Sequence, residues 1–222
     1  MSEIVTTYLL RDLTEPLPMA RDEFYSEQIV VYKKTGKPTR SVEVVQVLLF
    51  TTDGELILQK RSRRKDHNPG MFDKTLGGHV RFGDTPTYTL MVETLQELQV
   101  PSLVLPSSED FKKTYRLLKD YLNNIALIQH IDGPRTYTST KRIGAETMNI
   151  ANTYHFYLGI YSGSIKPADK EVSGILFFSP ETLGEEVKES PELFTEDLRF
   201  FLKKYKEKIA EFLKILDSKL GH

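Results

Sequence analysis

Cysteine is absent from the 222 residues. Its absence excludes disulfides, thiolate metal sites and cysteine nucleophiles, and it fits a reducing compartment, so a cytoplasmic location is the expectation. No run of about 18 consecutive apolar residues occurs, the length a membrane helix needs. The opening segment MSEIVTTYLLRDLTEPLP has no basic stretch followed by a long apolar one, so no secretory signal is expected either. Charge of one sign is also lacking. The 30 Lys and Arg against 31 Asp and Glu leave a net charge of −1, which offers no global basic field to nucleic acid or an acidic membrane. Internal repeats and low-complexity blocks are missing as well.

What remains is enough apolar side chain for a substantial core, 39% of the chain with 12 Phe and 11 Tyr. SVEVVQVLLF (41–50) is rich in β-branched residues and reads as a strand, turned by TTDG into a second strand, ELILQKR (55–61). SRRKDHNPGMFDK, with Asn-Pro-Gly and few apolar residues, reads as a loop. Pro86 suits a first helical position, with Asp84 or Thr85 as N-cap, and Leu90, Met91, Leu95 and Leu98 recur at helical spacing before Pro101. A second helix is predicted within 108–124, strands at 124–131, 153–161 and 175–179, and a short helical turn at SPETL. RTYTSTKRIGAETM (135–148) reads as a long polar loop. Leu198, Phe201, Leu202, Tyr205, Ile209, Phe212, Leu213 and Leu216 step by three and four, predicting one long amphipathic helix over 195–218 that packs on its own domain. The expectation is a single α/β domain over 1–222, with an N-terminal extension (1–40), a mixed-sheet core (41–183) and this last helix.

The helix from Pro86 carries the chemistry. Glu93 and Glu97 are four apart and share a face, with Gln96 beside them. The helix follows a glycine turn, Leu76-Gly77-Gly78-His79, which can bring main-chain carbonyls close to it. Carboxylate and carbonyl oxygens are the hard ligands that Mg²⁺ and Mn²⁺ prefer.

The stretch GGHVRFGDTPTYTLMVETLQELQV resembles the Nudix box, G-x5-E-x7-R-E-U-x-E-E-x-G-U with U aliphatic. Counting from Gly78, the box's first glutamate falls on Asp84, its arginine on Val92, its next glutamates on Glu93, Gln96 and Glu97, its late glycine on Gln99 and its closing aliphatic on Val100. Upstream, LILQKRSRRKDHNPGMFDKTLGGHV resembles the branch of that superfamily that includes isopentenyl-diphosphate isomerase and its hydrolase-like relatives. The resemblance spans about residues 40–205 and implies a Nudix fold, a mixed β-sheet sandwiched between helices.

The resemblance further implies that Glu93 and Glu97 ligate a divalent cation, Mg²⁺ or Mn²⁺, helped by the Gly77 carbonyl, by Gln96 and by Glu171 from a later loop. Either Glu93 or Glu97 would also orient or deprotonate the attacking water. The departures matter. Val92 cannot hold Glu93 by an ion pair as the arginine does, and Gln96 offers an oxygen but no charge. Gln99 in place of glycine suggests a different turn at the end of the helix. The isomerases use a cysteine immediately before the Gly-His turn; Gly77 stands there instead, which excludes isomerase chemistry by that route.

Arg61, Arg63, Arg64, Lys65 and Lys74 crowd the approach to the glycine turn, and Lys141 and Arg142 lie in the 135–148 segment. Arg61, Arg63, Lys65, Lys74, His79, Lys141 and Arg142 are the candidate substrate-binding residues for a small-molecule diphosphate. Tyr137 is a candidate to stack on a base. The expected function is metal-dependent hydrolysis of a phosphoanhydride in a nucleoside diphosphate linked to another group, or a related diphosphate. The alternative is a Nudix-fold module that binds a nucleotide or partner with little turnover. Oligomeric state has no signature in the sequence.

Overall fold

A computed structural model describes residues 2–65, 67–143, 146–165 and 172–217. The chain opens with two antiparallel strands, β1 (Ile4–Leu9) and β2 (Asp12–Ala20), followed by helix α1 (Arg21–Thr35). Gly36 ends α1 at φ 68°, a left-handed turn in which its N–H donates to the Tyr32 carbonyl. The segment read as an extension is thus integral to the sheet, because β1 pairs with β3 (Arg40–Phe50) through Thr7 opposite Val42.

In β3 every residue after Arg40 is buried. Strand alternation divides it between two cores. Val42, Val44, Leu48 and Phe50 join one apolar cluster, while Val45, Val47 and Leu49 join another. A β-branched strand apolar on both faces belongs at the centre of a covered sheet, and β3 occupies that place. The chain continues through β4 (Leu56–Arg61), β5 (Phe72–Asp73) and β6 (Leu76–His79) to helix α2 (Pro86–Leu98). The expected cap is present: Thr85 Oγ1 accepts from the Tyr88 N–H at 3.1 Å, with Pro86 opening the helix.

The end of α2 corrects one expectation. Gln99 adopts φ 57° and ψ 33°, so the left-handed turn of the glycine pattern is kept by a residue that carries a Cβ. Such a conformation costs roughly 1–2 kcal/mol outside glycine.

β7 (Ser102–Leu105), α3 (Ser108–Leu118, capped by Ser107), β8 (Ala126–Ile143) and β9 (Glu146–Ile160) follow. Here a second expectation fails. The described residues of 135–148 lie in these two strands, in register from Arg135 opposite Tyr154 to Ile143 opposite Glu146. The segment's Thr residues are β-branched and suit a strand, and its polar side chains either face solvent, as Arg135, Thr138 and Arg142 do, or enter the cleft, as Lys141 does. The last elements are β10 (Val172–Phe178), α4 (Pro180–Glu189), α5 (Glu196–Lys204) and α6 (Lys206–Asp217). SPETL therefore opens a helix of 10 residues. The single long C-terminal helix is two, broken at Tyr205 (φ −110°, ψ 23°). The break lets the Tyr205 ring pack 4.7 Å from Phe156 while its hydroxyl donates to Asp132 Oδ2 at 2.9 Å.

The main sheet path runs β10-β4-β3-β9-β8-β7, with β1, β2, β5 and β6 attached to it. It is mixed: β3–β9 and β7–β8 are parallel and the other pairs antiparallel. Helices cover both faces. Leu90 and Leu98 of α2 pack on one side, and Phe24 of α1, Phe111 of α3, Leu183 of α4, Phe201 of α5 and Phe212 of α6 on the other. This is the expected sheet between helices. No helix among the described residues is long and apolar enough to cross a membrane.

Candidate active site

A polar cleft of about 180 Å³ opens between α2, β6, the middle of β3 and the end of β4. Glu93 and Glu97 both line it, one turn apart on the same helix face. What brings α2 this close is Gly78 on β6: a Cβ there would overlap the Glu93 carboxylate. Glu93 has no hydrogen bond or ion pair among the described residues. Burial, with a smaller push from Glu3, raises its pKa to about 7 against the opposing pull of Arg81, Arg21 and Lys65. Val92, in the arginine's place, is half-buried and offers no charge.

The inner end of the cleft is organised around Asp73. Its carboxylate receives Arg61 Nη1 at 3.0 Å, Lys74 Nζ at 3.3 Å and the Thr195 hydroxyl at 2.7 Å. Burial alone would raise the Asp73 pKa, but these two cations and the hydrogen bonds outweigh it and hold the carboxyl at about 2. Arg61 also donates through Nε and Nη2 to the His67 carbonyl, which fixes the loop after β4. Thr195 doubles as the N-cap of α5, accepting from the Leu198 N–H. One hydroxyl therefore ties α5 to the cleft floor. The next residue but one, Asp197, lines the cleft and accepts from the Tyr154 hydroxyl at 2.9 Å. Burial pushes the Asp197 pKa up, but Lys141 and Lys74, together with Ser139, bring it below the usual value. Lys141 responds in kind: burial disfavours its charge, but Tyr25, Asp197 and Asp73 more than restore it.

The expected site residues divide accordingly. Glu93, Glu97, Gly77, Arg61, Lys65, Lys74, His79 and Lys141 come together in the cleft. Gln96 does not line it; it is exposed and borders a neighbouring groove that Val92, Glu93 and His79 also line. Arg63 and Arg142 are exposed and do not line the cleft either. Successive strand residues point to opposite faces, so bringing Lys141 inward sends Arg142 out. Glu171 lies outside the described residues. His79 is held by Tyr25, whose hydroxyl is 3.0 Å from Nε2, and burial followed by Arg21 and Lys141 keeps the ring neutral, with its pKa well below the ordinary value. Tyr137 packs 4.8 Å from Phe200 in the core, so it does not stack on a base.

Sequence reasoning missed Asp73, Asp197, Gln46, Arg21 and Tyr25. Only Asp197 had a local signal, the Thr-Glu-Asp of a helix start. The others enter the cleft through pairings far apart in sequence.

A NUDIX domain family model matches residues 40–198. The chain belongs to the Nudix family. Within it, the chain is 28% identical over 149 residues to an isopentenyl-diphosphate Delta-isomerase of Streptomyces coelicolor, covering 67% of this chain and 62% of that one. It is 34% identical over 80 residues to the isomerase of Streptomyces avermitilis, covering 36% and 39%. The chain thus spans less than two thirds of the length of either relative. Among solved structures, DR0079 from Deinococcus radiodurans superposes with a TM-score of 0.51 at 18% identity, covering 73% of this chain and 82% of that one, a likeness of fold.

Nudix proteins as a family use divalent metals, and the residues present fit such an ion. Glu93 is a carboxylate in the cleft with neither hydrogen bond nor ion pair, and its raised pKa is that of a group in want of a cation. Among the described residues, however, no three His, Asp or Glu side chains gather as a ligand set. Two carboxylates, Glu93 and Glu97, face the cleft from α2, where the full box has three helix glutamates.

Proposed function

We propose that this protein hydrolyses a phosphoanhydride bond in a hydrophilic diphosphate such as a nucleoside diphosphate linked to a second group. The observation that carries the reading is the projection of Glu93 and Glu97 from one face of α2 into a cleft that also holds Arg21, Lys65, Lys74 and Lys141. Glu93 and Glu97, with the Gly77 carbonyl, would hold Mg²⁺ or Mn²⁺. When bound, that ion supplies charge neutralisation for the phosphates and a lowered pKa for a ligated water. The chain's own side chains do the rest. Arg21 and Lys65 sit in the field of Glu93 and draw the phosphate oxygens to it. The glutamate pair orients the attacking water, and one of the two accepts its proton as the phosphorus–oxygen bond to the leaving phosphate breaks.

Isomerase chemistry lacks both its acid and the room for it. The chain has no cysteine. A Cβ at Gly77 would meet Lys74 Cε at 2.5 Å and the Val45 carbonyl at 2.8 Å, so a thiol at that position requires rebuilding the cleft floor. The second reading is a binding module with little turnover. Val92 and the outward position of Gln96 favour it, since they leave the site two carboxylates and no orienting arginine.

The test is a screen with Mg²⁺ and Mn²⁺ against nucleoside diphosphate sugars, dinucleoside polyphosphates, nucleoside triphosphates and short isoprenoid diphosphates, with Glu97→Gln as control. Turnover lost in Glu97→Gln is the expected result. Binding without turnover in either protein establishes the module instead.

A further inference from the structure

We propose that the inner end of the cleft is a subsite for an uncharged, hydroxyl-bearing part of the substrate, a sugar or ribose, and that Gln46 reads it. This rests on the hydrolase reading above for the position of the diphosphate. Gln46 is 2% exposed and lines the cleft, and its Oε1 has no hydrogen-bond partner. A buried amide oxygen without a donor is uncommon and costly, because nothing replaces the water it gave up.

The strand pairing explains why the protein itself supplies no donor. Gln46 stands opposite Gly77 on β6 and beside Phe156 on β9. One neighbour has no side chain and the other is hydrocarbon. The space next to Gly77 is filled by the methylene stem of Lys74, whose ammonium is turned to Asp73. The acceptor is thus left for something that enters the cleft.

The charges say what kind of group that is. At the inner end the cations are already engaged: Asp73 takes Arg61 and Lys74, and Asp197 faces Lys141 while accepting from Tyr154. A second anion would compete with carboxylates that are in place. At the outer end Glu93 is unmatched, and there the phosphates and their cation belong. Nor does the inner end suit an isoprenoid chain, because the aliphatic side chains that reach the cleft are those of Val44 and Val45, themselves buried in the two cores. The group that fits is neutral, polar and a hydrogen-bond donor. A hydroxyl given to Gln46 Oε1 meets all three conditions.

The test is Gln46→Met, of similar volume but without the acceptor. The ligand-free variant is expected to melt at a higher temperature than the wild type, since an unpaired buried oxygen has gone. Its KM for a nucleoside diphosphate sugar is expected to rise about tenfold, equivalent to about 1.4 kcal/mol, with kcat within twofold and with KM for a short isoprenoid diphosphate unchanged. A fall in melting temperature would make Gln46 a structural residue and overturn the inference. So would equal changes in KM for both substrates. If the wild type turns over neither, the hydrolase reading fails separately, and calorimetric titration with the nucleoside diphosphate sugar decides the subsite. Tighter binding by the wild type than by Gln46→Met supports it; equal binding, or none, overturns it.

Discussion

The carboxylate of Glu93 rests on the bare Cα of Gly78, in space that a Cβ at Gly78 would occupy. The glycine of the box is therefore a clearance between β6 and α2 more than a flexible turn. In Gly78→Ala either the helix or the glutamate must move. A displacement of about 1 Å at reacting groups costs on the order of 100-fold in rate, and the overpacking itself costs about 1–3 kcal/mol. The expected outcome is a folded protein of moderately lowered melting temperature whose kcat/KM falls by about two orders of magnitude. Full activity in Gly78→Ala would show that Glu93 has no need of its position.

Asp73 is the hub of the inner cleft. Removing its charge leaves the buried Lys74 ammonium without its carboxylate and Arg61 with only the His67 carbonyl, and breaking a buried pair in this way typically costs about 3–5 kcal/mol. Asp73→Asn should lose that much in denaturant unfolding, with Thr195 and the start of α5 loosened alongside. The linkage has a definite sign. The folded pKa of about 2 lies below the ordinary 3.8, so the stabilisation is present above pH 3.8 and is lost as pH falls from there toward 2. The wild type should show this acid limb and Asp73→Asn should not.

Glu93 behaves in the opposite sense. Its folded pKa of about 7 lies above the ordinary 4.5, so the folded state keeps a proton that the unfolded chain releases. In EDTA, stability should decline as pH rises from 4.5 through 7, and Glu93→Gln should flatten that decline. Added Mg²⁺ or Mn²⁺ should raise the melting temperature of the wild type above pH 7 and of Glu93→Gln much less. Equal metal responses in the two proteins would remove Glu93 from the ligand set.

Gln99 holds a left-handed conformation that glycine adopts without strain. Gln99→Gly should stabilise the protein by a few tenths to about 1 kcal/mol, read as an upward shift in denaturant midpoint. Because Gln99 is exposed and lies outside the cleft, kcat should be unchanged.

Much of the site could be read along the chain because it is local. Thr85, Pro86 and the four-residue step from Glu93 to Glu97 specify a capped helix with two carboxylates on one face, and Gly78 lies near enough in sequence to belong to the same pattern. The strand 40–50 was equally legible, since a β-branched run apolar on both faces has one natural place in a sheet. Polarity misled at 135–148, where paired strand residues alternate between solvent, as at Arg142, and the polar cleft, as at Lys141. Periodicity misled at Tyr205, because a step of three or four continues across a break when the residue at the break also faces the core.

The amino-acid sequence by itself determined the family, the helix that carries Glu93 and Glu97, and the absence of any thiol chemistry, each of which depends on residue type at short spacing. Only the tertiary structure decided that Asp73 and Asp197 organise the inner cleft, that Lys141 enters it while Arg142 does not, and that Gln46 is left with an unpaired oxygen. Those outcomes depend on strand register and on where α5 docks. The apolar contacts that set them join residues more than 100 positions apart, as when β3 pairs with β9, and no local pattern encodes them.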